Sequence, residues 1–132
     1  MSEKVLVTGA GGFIGHHLAR YLVERGYQVR GVDIVEPEFE ASAAHEFEVL
    51  DLRRWENALK ATDGIDHVYN LAADMGGIGY ITASHAEIAM NNTMINTHML
   101  DAARVNGVDR YFYSSSACVY PDYRQNEPDI AG

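Results

Sequence analysis

The run Val5-Leu6-Val7-Thr8-Gly9-Ala10-Gly11-Gly12-Phe13-Ile14-Gly15 constrains this chain more than any other stretch. It reads as a short apolar strand, a glycine turn and the start of a helix. Glycines let a backbone turn tightly and come close to a ligand. The uncapped N–H groups and the positive end of the following helix then face an anion. Strand, glycine turn and helix in this order form a dinucleotide pyrophosphate site. The glycines fall at Gly9, Gly12 and Gly15 rather than in the commoner G-x-G-x-x-G spacing, so their context matters.

That context includes an acid. A second apolar stretch, residues 28–33, ends in Asp33, which lies 18 residues beyond Gly15. An acid about 20 residues after the turn bonds the adenosine ribose hydroxyls. A carboxylate there repels a 2′-phosphate, and neither Ile34 nor Val35 offers a charge to hold one. The pattern predicts NAD rather than NADP. The plain alternative is that Asp33 only opens a polar loop.

Strand and helix patterns alternate along the chain. Strands are predicted at 5–8, 29–33, 47–50, 67–72 and 110–114. Helices are predicted at 13–25, 55–61 and 84–106. Ile14, Leu18 and Leu22 recur at four-residue spacing in the first helix, and Gly26 and Gly107 stand where helices end. Residues 36–44 contain Pro37 and read as a loop. This alternation implies an α/β fold: a doubly wound parallel sheet covered on both faces, with strand order 3-2-1-4-5. One domain over residues 1–121 is followed by a polar tail over 122–132.

The chain of 132 residues has room for one core, and its single cysteine fits a reducing cytoplasm. No apolar run is long enough to span a membrane. A net charge of −9 makes it a poor general binder of nucleic acid or anionic membrane. His45, His67, His85 and His98 lack metal-ligand spacing, and no metal site is predicted. His16 and His17 read as helix surface, and Glu36, Glu38 and Glu40 as a solvated loop. Asn91, Asn92 and Asn96 are poor helix formers inside a helix, which leaves a solvent-facing side or a local bend as simple readings.

Three further stretches carry a family resemblance: Asn70 to Gly79, Met90 to Ile95, and Ser114-Ser115-Ser116-Ala117-Cys118-Val119-Tyr120-Pro121. With the glycine turn they make the chain similar to the extended short-chain dehydrogenase/reductases, mostly nucleotide-sugar epimerases, dehydratases and reductases. Within that group the chain resembles the GDP-mannose 3,5-epimerase branch most. The likeness runs from Val5 to about Tyr123 and implies a Rossmann-type fold.

By position, the resemblance implies that Gly9, Gly12, Phe13, Ile14 and Gly15 line the pyrophosphate and Asp33 holds the ribose. Asp51 and Leu52 would flank the adenine. Leu71, Ala72, Ala73, Met75 and Asn91 would lie along the cofactor. Gly76, Gly77, Ser116, Ala117 and Cys118 would meet the sugar. Ser116 would hydrogen-bond a reacting hydroxyl, and Cys118 would act as an acid/base at a sugar carbon. The implied chemistry is oxidation at C4 by NAD, proton exchange at the neighbouring carbons, and re-reduction of a nucleotide sugar, a GDP-hexose for preference. A GDP-fucose synthase or a UDP-sugar 4-epimerase is the chemical alternative, and a non-catalytic dinucleotide-binding module the alternative of another class.

Cys118 and the serines also bear a plain reading, as an inert small hydrophobe in a serine loop. If the strand stays extended, however, Ser114, Ser116, Cys118 and Tyr120 share one side of it. The group's Tyr-x-x-x-Lys motif is absent, the only lysines being Lys4 and Lys60. The chain therefore reads as the cofactor-binding portion of such an enzyme, lacking the later strands and the substrate domain. Expected for it are weak NAD binding, no turnover, and an uncovered sheet edge that favours self-association as a homodimer.

Overall fold

In the computed structural model, residues 2–38, 40–73 and 85–114 are described. They form five strands and three helices in the order β1 (Lys4–Thr8), α1 (Phe13–Glu24), β2 (Gln28–Asp33), β3 (Glu46–Val49), α2 (Trp55–Thr62), β4 (His67–Asn70), α3 (His85–Val105) and β5 (Arg110–Tyr113). All strands pair in parallel, in the order β3-β2-β1-β4-β5. Each predicted element is present within one residue of its expected ends, except that β4 stops at Asn70, two residues short. Gly26 and Gly107, expected to close helices, adopt φ of 92° and 68°.

β1 runs through the middle of the sheet, and its side chains divide the protein into two cores. Val5 and Val7 point to one face, where Ala10, Ala19, Leu22 and Val29 join them under α1. Leu6 points to the other, with Val32, Val68, Ala58, Ala61, Ile95, Met99 and Ala102 beneath α2 and α3. Strand alternation thus supplies apolar surface to both faces.

The inward stripe of α1 departs from the expected one. Gly15, His16, Ala19 and Leu22 are buried, whereas Ile14 is 71% exposed. Small residues face the sheet, so the helix lies closer than a stripe beginning at Ile14 would allow. In α3 the buried set is Asn91, Ile95, Met99, Ala102 and Ala103, an i, i+4, i+8 stripe with an amide at its head.

Polar bonds tie the layers together. Arg30 donates to Glu46 Oε2 (2.9 Å) and to the carbonyls of Ala61 (2.9 Å) and Asp63 (2.8 Å), joining β2 to β3 and the end of α2. Asn106 Nδ2 donates to Leu59 O (3.0 Å) and Thr62 Oγ1 (2.8 Å), fastening the end of α3 to α2.

Leu6 and Met99 are fully buried, while Leu100, next in sequence to Met99, is 59% exposed. Leu6→Ala or Met99→Ala should lower unfolding free energy by about 2–5 kcal/mol. Leu100→Ala should change it by less than about 0.5 kcal/mol. Urea denaturation followed by circular dichroism measures both.

Candidate functional site

The order of strands reverses between β1 and β4, since β2 and β3 lie to one side of β1 and β4 and β5 to the other. A crevice opens beyond the carboxyl ends of the strands at such a switch point. Thr8, the last residue of β1, closes its floor. Its hydroxyl donates to Asn70 Oδ1 (2.7 Å) and accepts from the backbone N–H of Leu71 (3.0 Å) and Ala72 (3.1 Å).

The glycine turn follows. Gly9 has φ +70°, and a Cβ there would lie 2.8 Å from the backbone of Leu71. A Cβ on Gly15 would lie 2.1 Å from Gly9 O, so the first turn of α1 rests directly on the glycine turn. Gly12 is different: its Cβ would meet only Gly9 O, at 3.4 Å. It caps α1, and no described side chain caps the helix or places an acid in its first turn. The leading N–H groups therefore keep their affinity for an anion.

Gly11 has a role that its residue type alone did not reveal. Its N–H donates to Asp33 Oδ2 (2.8 Å), and Ile34 N–H donates to Asp33 Oδ1 (2.6 Å). A Cβ on Gly11 would lie 2.2 Å from Val35 O. The glycine turn and the acid are thus keyed to one another.

At the end of β3, Asp51 is held by Arg53. The guanidinium donates through Nε to Oδ1 (3.0 Å) and Oδ2 (3.2 Å), and through Nη2 to Oδ2 (2.7 Å). The Arg53 backbone N–H adds a bond to Oδ1 (3.0 Å). Side-chain hydrogen bonding from Arg53 is the main reason that the Asp51 carboxyl lies below its ordinary pKa, against the opposing effect of burial. Arg53 Nη1 also donates to Asn91 Oδ1 (3.3 Å) on α3.

Below β4 and β5 lies an amide–phenol network. Asn70 Nδ2 donates to Tyr111 Oη (2.8 Å) and Asn96 Oδ1 (3.3 Å), and Asn96 Nδ2 donates to Tyr113 Oη (3.3 Å). Burial raises the Tyr111 pKa, partly offset by the Asn70 bond. Asn96 therefore does not simply face solvent, and Asn91 is buried.

The expectation for His16 and Glu40 was also incomplete. His16 is 8% exposed, and its Nε2 pairs with Glu40 Oε1 (2.8 Å). Arg20 pairs with the same carboxylate. Hydrogen bonding from His16, then from Arg20, holds the Glu40 pKa low. The loop 36–44 is thereby clasped to α1 rather than left to solvent at every acid.

A cavity of about 530 Å³ occupies the crevice. Gly9, Gly12, Asp33, Asp51, Leu52, Leu71, Ala72, Ala73 and Asn91 line it, so nine of the thirteen expected cofactor residues meet in one place. Phe13 and Ile14 have side chains 80% and 71% exposed, outside the lining, and could contribute only backbone N–H groups. Gly15 lies beneath the turn. Met75, Gly76, Gly77, Ser116, Ala117 and Cys118 lie outside the described residues. Ile34, Leu50, Arg53, Glu87 and Ile95 also line the cavity and were not anticipated. Glu87, Asn91 and Ile95 follow one helical stripe, a signal present in the sequence. Among the described residues no cluster of three His, Cys, Asp or Glu could hold a metal, and no helix is long and apolar enough to cross a membrane.

Residues 5–131 match the NAD dependent epimerase/dehydratase family. The chain belongs to that family. It is 52% identical to GDP-mannose 3,5-epimerase 1 of Oryza sativa subsp. japonica over 134 aligned positions, covering 98% of this chain and 35% of the relative. It is 30% identical to GDP-L-fucose synthase of Escherichia coli, covering 90% of this chain and 34% of that one. A crystallised short-chain dehydrogenase/reductase superfamily protein from Agrobacterium tumefaciens with bound NAD superposes with a TM-score of 0.78 at 29% identity, over 97% of this chain and 36% of that chain. The chain spans about a third of the length of the curated relatives it matches.

NAD is the cofactor of this family, and the crevice fits it. The turn leaves a cradle that a Cβ at Gly12 would begin to fill, the first turn of α1 carries no acid and no side-chain cap, and a carboxylate stands at the end of β2. Two glycine substitutions should separate folding from binding. Gly15→Ala should destabilise the protein by about 1–3 kcal/mol through overpacking. Gly12→Ala should leave the unfolding midpoint nearly unchanged yet weaken NAD at least about tenfold, because its methyl group would displace the pyrophosphate. Denaturant titration and calorimetric NAD binding, run side by side, check the contrast.

Proposed function

We propose that this chain is the NAD-binding portion of a nucleotide-sugar epimerase, and that the whole protein acts on GDP-mannose with inversion at C3 and C5. The 52% identity to a GDP-mannose 3,5-epimerase across 98% of the chain carries this reading. The crevice supports it from the side of the cofactor.

The strand ends set the order of a bound dinucleotide. The pyrophosphate belongs at the β1–α1 turn and the ribose at Asp33 on β2. The adenine then falls at the end of β3, against Asp51 and Leu52, and the nicotinamide at the β4 side, along Leu71, Ala72 and Ala73. Asn91 completes the wall from α3. Phe13, Ile14 and Gly15 offer backbone N–H groups, and the matching stretch of sequence assigns Met75 to the cofactor as well.

Asp33 selects NAD. Its carboxylate accepts from Gly11 and Ile34 and would repel a 2′-phosphate. Arg53, the cation among the described residues of the cavity wall, is engaged by Asp51. NAD held in this way supplies a hydride acceptor for the sugar. On the sugar side, Ser116 orients the reacting hydroxyl, and Cys118 holds or releases a proton at Sγ. Gly76, Gly77 and Ala117 let the sugar come close. These roles rest on the matching stretches of sequence. Turnover belongs to the whole protein, since Tyr-x-x-x-Lys occurs nowhere in these 132 residues. Phe112 and Tyr113, both about half exposed on β5, support the expectation of self-association.

Isothermal titration should show saturable NAD binding with NADP at least about tenfold weaker, and Asp33→Ala should erase the preference. A preference for NADP would instead favour a reductase of the GDP-fucose synthase kind. In the whole protein, GDP-mannose in D2O should take up deuterium at C3 and C5, read by NMR, and Cys118→Ala should reduce uptake by about a hundredfold or more, as expected for loss of a general acid/base. Uptake unaffected by that substitution would remove Cys118 from the chemistry.

A further inference from the structure

We infer that Arg53 is a positioning residue that makes the cofactor site selective for a 6-aminopurine. The inference rests on the NAD-binding reading above, which puts the base of the dinucleotide at the end of β3.

Asp51 is the acceptor at that position, and a carboxylate free to turn about its side-chain torsions would not discriminate well. It could accept from the exocyclic amine of adenine. It could equally swing to accept from N1–H of hypoxanthine, whose 6-oxo group it would otherwise repel. Selectivity requires a carboxylate fixed in one orientation.

Arg53 fixes it. Its side chain reaches both Asp51 oxygens, with Nε at 3.0 and 3.2 Å and Nη2 at 2.7 Å, and its own N–H bonds Oδ1 at 3.0 Å. A forked guanidinium pins a carboxylate in plane as well as in place, which a point charge does not do. The guanidinium is itself held, because Nη1 reaches Asn91 Oδ1 at 3.3 Å on α3. From the other side Asn57 Nδ2 donates to the Asp51 carbonyl at 3.0 Å and anchors the backbone. Asp51, Arg53 and Asn91 all line the cavity, so the fixed group faces the space where the base would lie. Three donors, with Nε shared between the two oxygens, occupy the carboxylate's roughly four lone-pair sites and leave room for one further donor.

The test compares NAD with nicotinamide hypoxanthine dinucleotide, which differs only in the 6-substituent of the purine. Calorimetry on the unaltered protein should show NAD preferred by about tenfold or more, the range for a hydrogen bond to a charged group. Arg53→Met retains the aliphatic stem and loses the fork. Arg53→Lys retains the charge and also loses the fork. In both, the preference should fall to within a factor of about two, mainly through relative improvement of the hypoxanthine ligand. Circular dichroism would confirm that at least one variant is folded. A general structural loss would weaken both ligands in proportion and leave their ratio unchanged, and that result would overturn the proposal. So would full selectivity in Arg53→Lys, since charge alone would then suffice. Equal binding of the two ligands by the unaltered protein would overturn it while leaving the NAD reading intact. Failure of the unaltered protein to bind NAD would remove both.

Discussion

The contact between Gly15 and the carbonyl of Gly9 governs the site. With no side chain at either position, α1 starts directly on top of the turn that leaves β1, and a methyl group on Gly15 would lie 2.1 Å from that carbonyl. This closeness gives α1 its inward stripe of small residues, Gly15 and Ala19, and aims its N-terminus across the crevice. It also leaves Gly11 close enough to bond Asp33, and Gly9 against the exit of β4. One short-range constraint thus sets the relative placement of the ends of β1, β2 and β4.

Much of the fold was legible because strand period and helix period act locally. Val5, Leu6 and Val7 announce a strand buried on both faces, and Gly26 and Gly107 announce helix ends without any knowledge of partners. The strand order followed from alternation and the handedness of crossovers. What could not be read were the distances closed by tertiary packing. His16 looks like a surface histidine until the loop 36–44 brings Glu40 to it across 24 positions of sequence. Arg53 looks like a loop cation until α3 presents Asn91 across 38 positions. The stripe of α1 was misjudged by one residue because apolar size favoured Ile14, while close packing on the sheet favoured Gly15 and Ala19.

The site was legible unevenly for the same reason. Residues at or just past strand ends, such as Asp33 and Asp51, follow from the fold class alone, because every strand of a parallel sheet delivers its carboxyl end to the same side. Residues from the covering helix do not. Glu87, Asn91 and Ile95 reach the cavity only because α3 crosses above it, and a helical stripe in isolation cannot say which of its turns overlooks the crevice. Gly11 is a third kind of case. It falls outside the Gly9, Gly12 and Gly15 spacing, yet its missing side chain makes room for Val35 O and its N–H bonds Asp33.

These details explain how a chain of net charge −9 can hold an anionic dinucleotide. The two acids that line the cavity at strand ends are each compensated locally. Asp33 accepts from two backbone N–H groups, and Asp51 is paired with Arg53. The potential met by a pyrophosphate is then dominated by the nearest dipoles, those of the uncapped α1 N-terminus, and not by charges more than a Debye length away. Attraction of this kind comes from fixed backbone groups rather than from a lysine or arginine patch. It depends weakly on salt and strongly on geometry, which places affinity in the glycine turn and leaves selectivity among dinucleotides to the acids at the ends of β2 and β3.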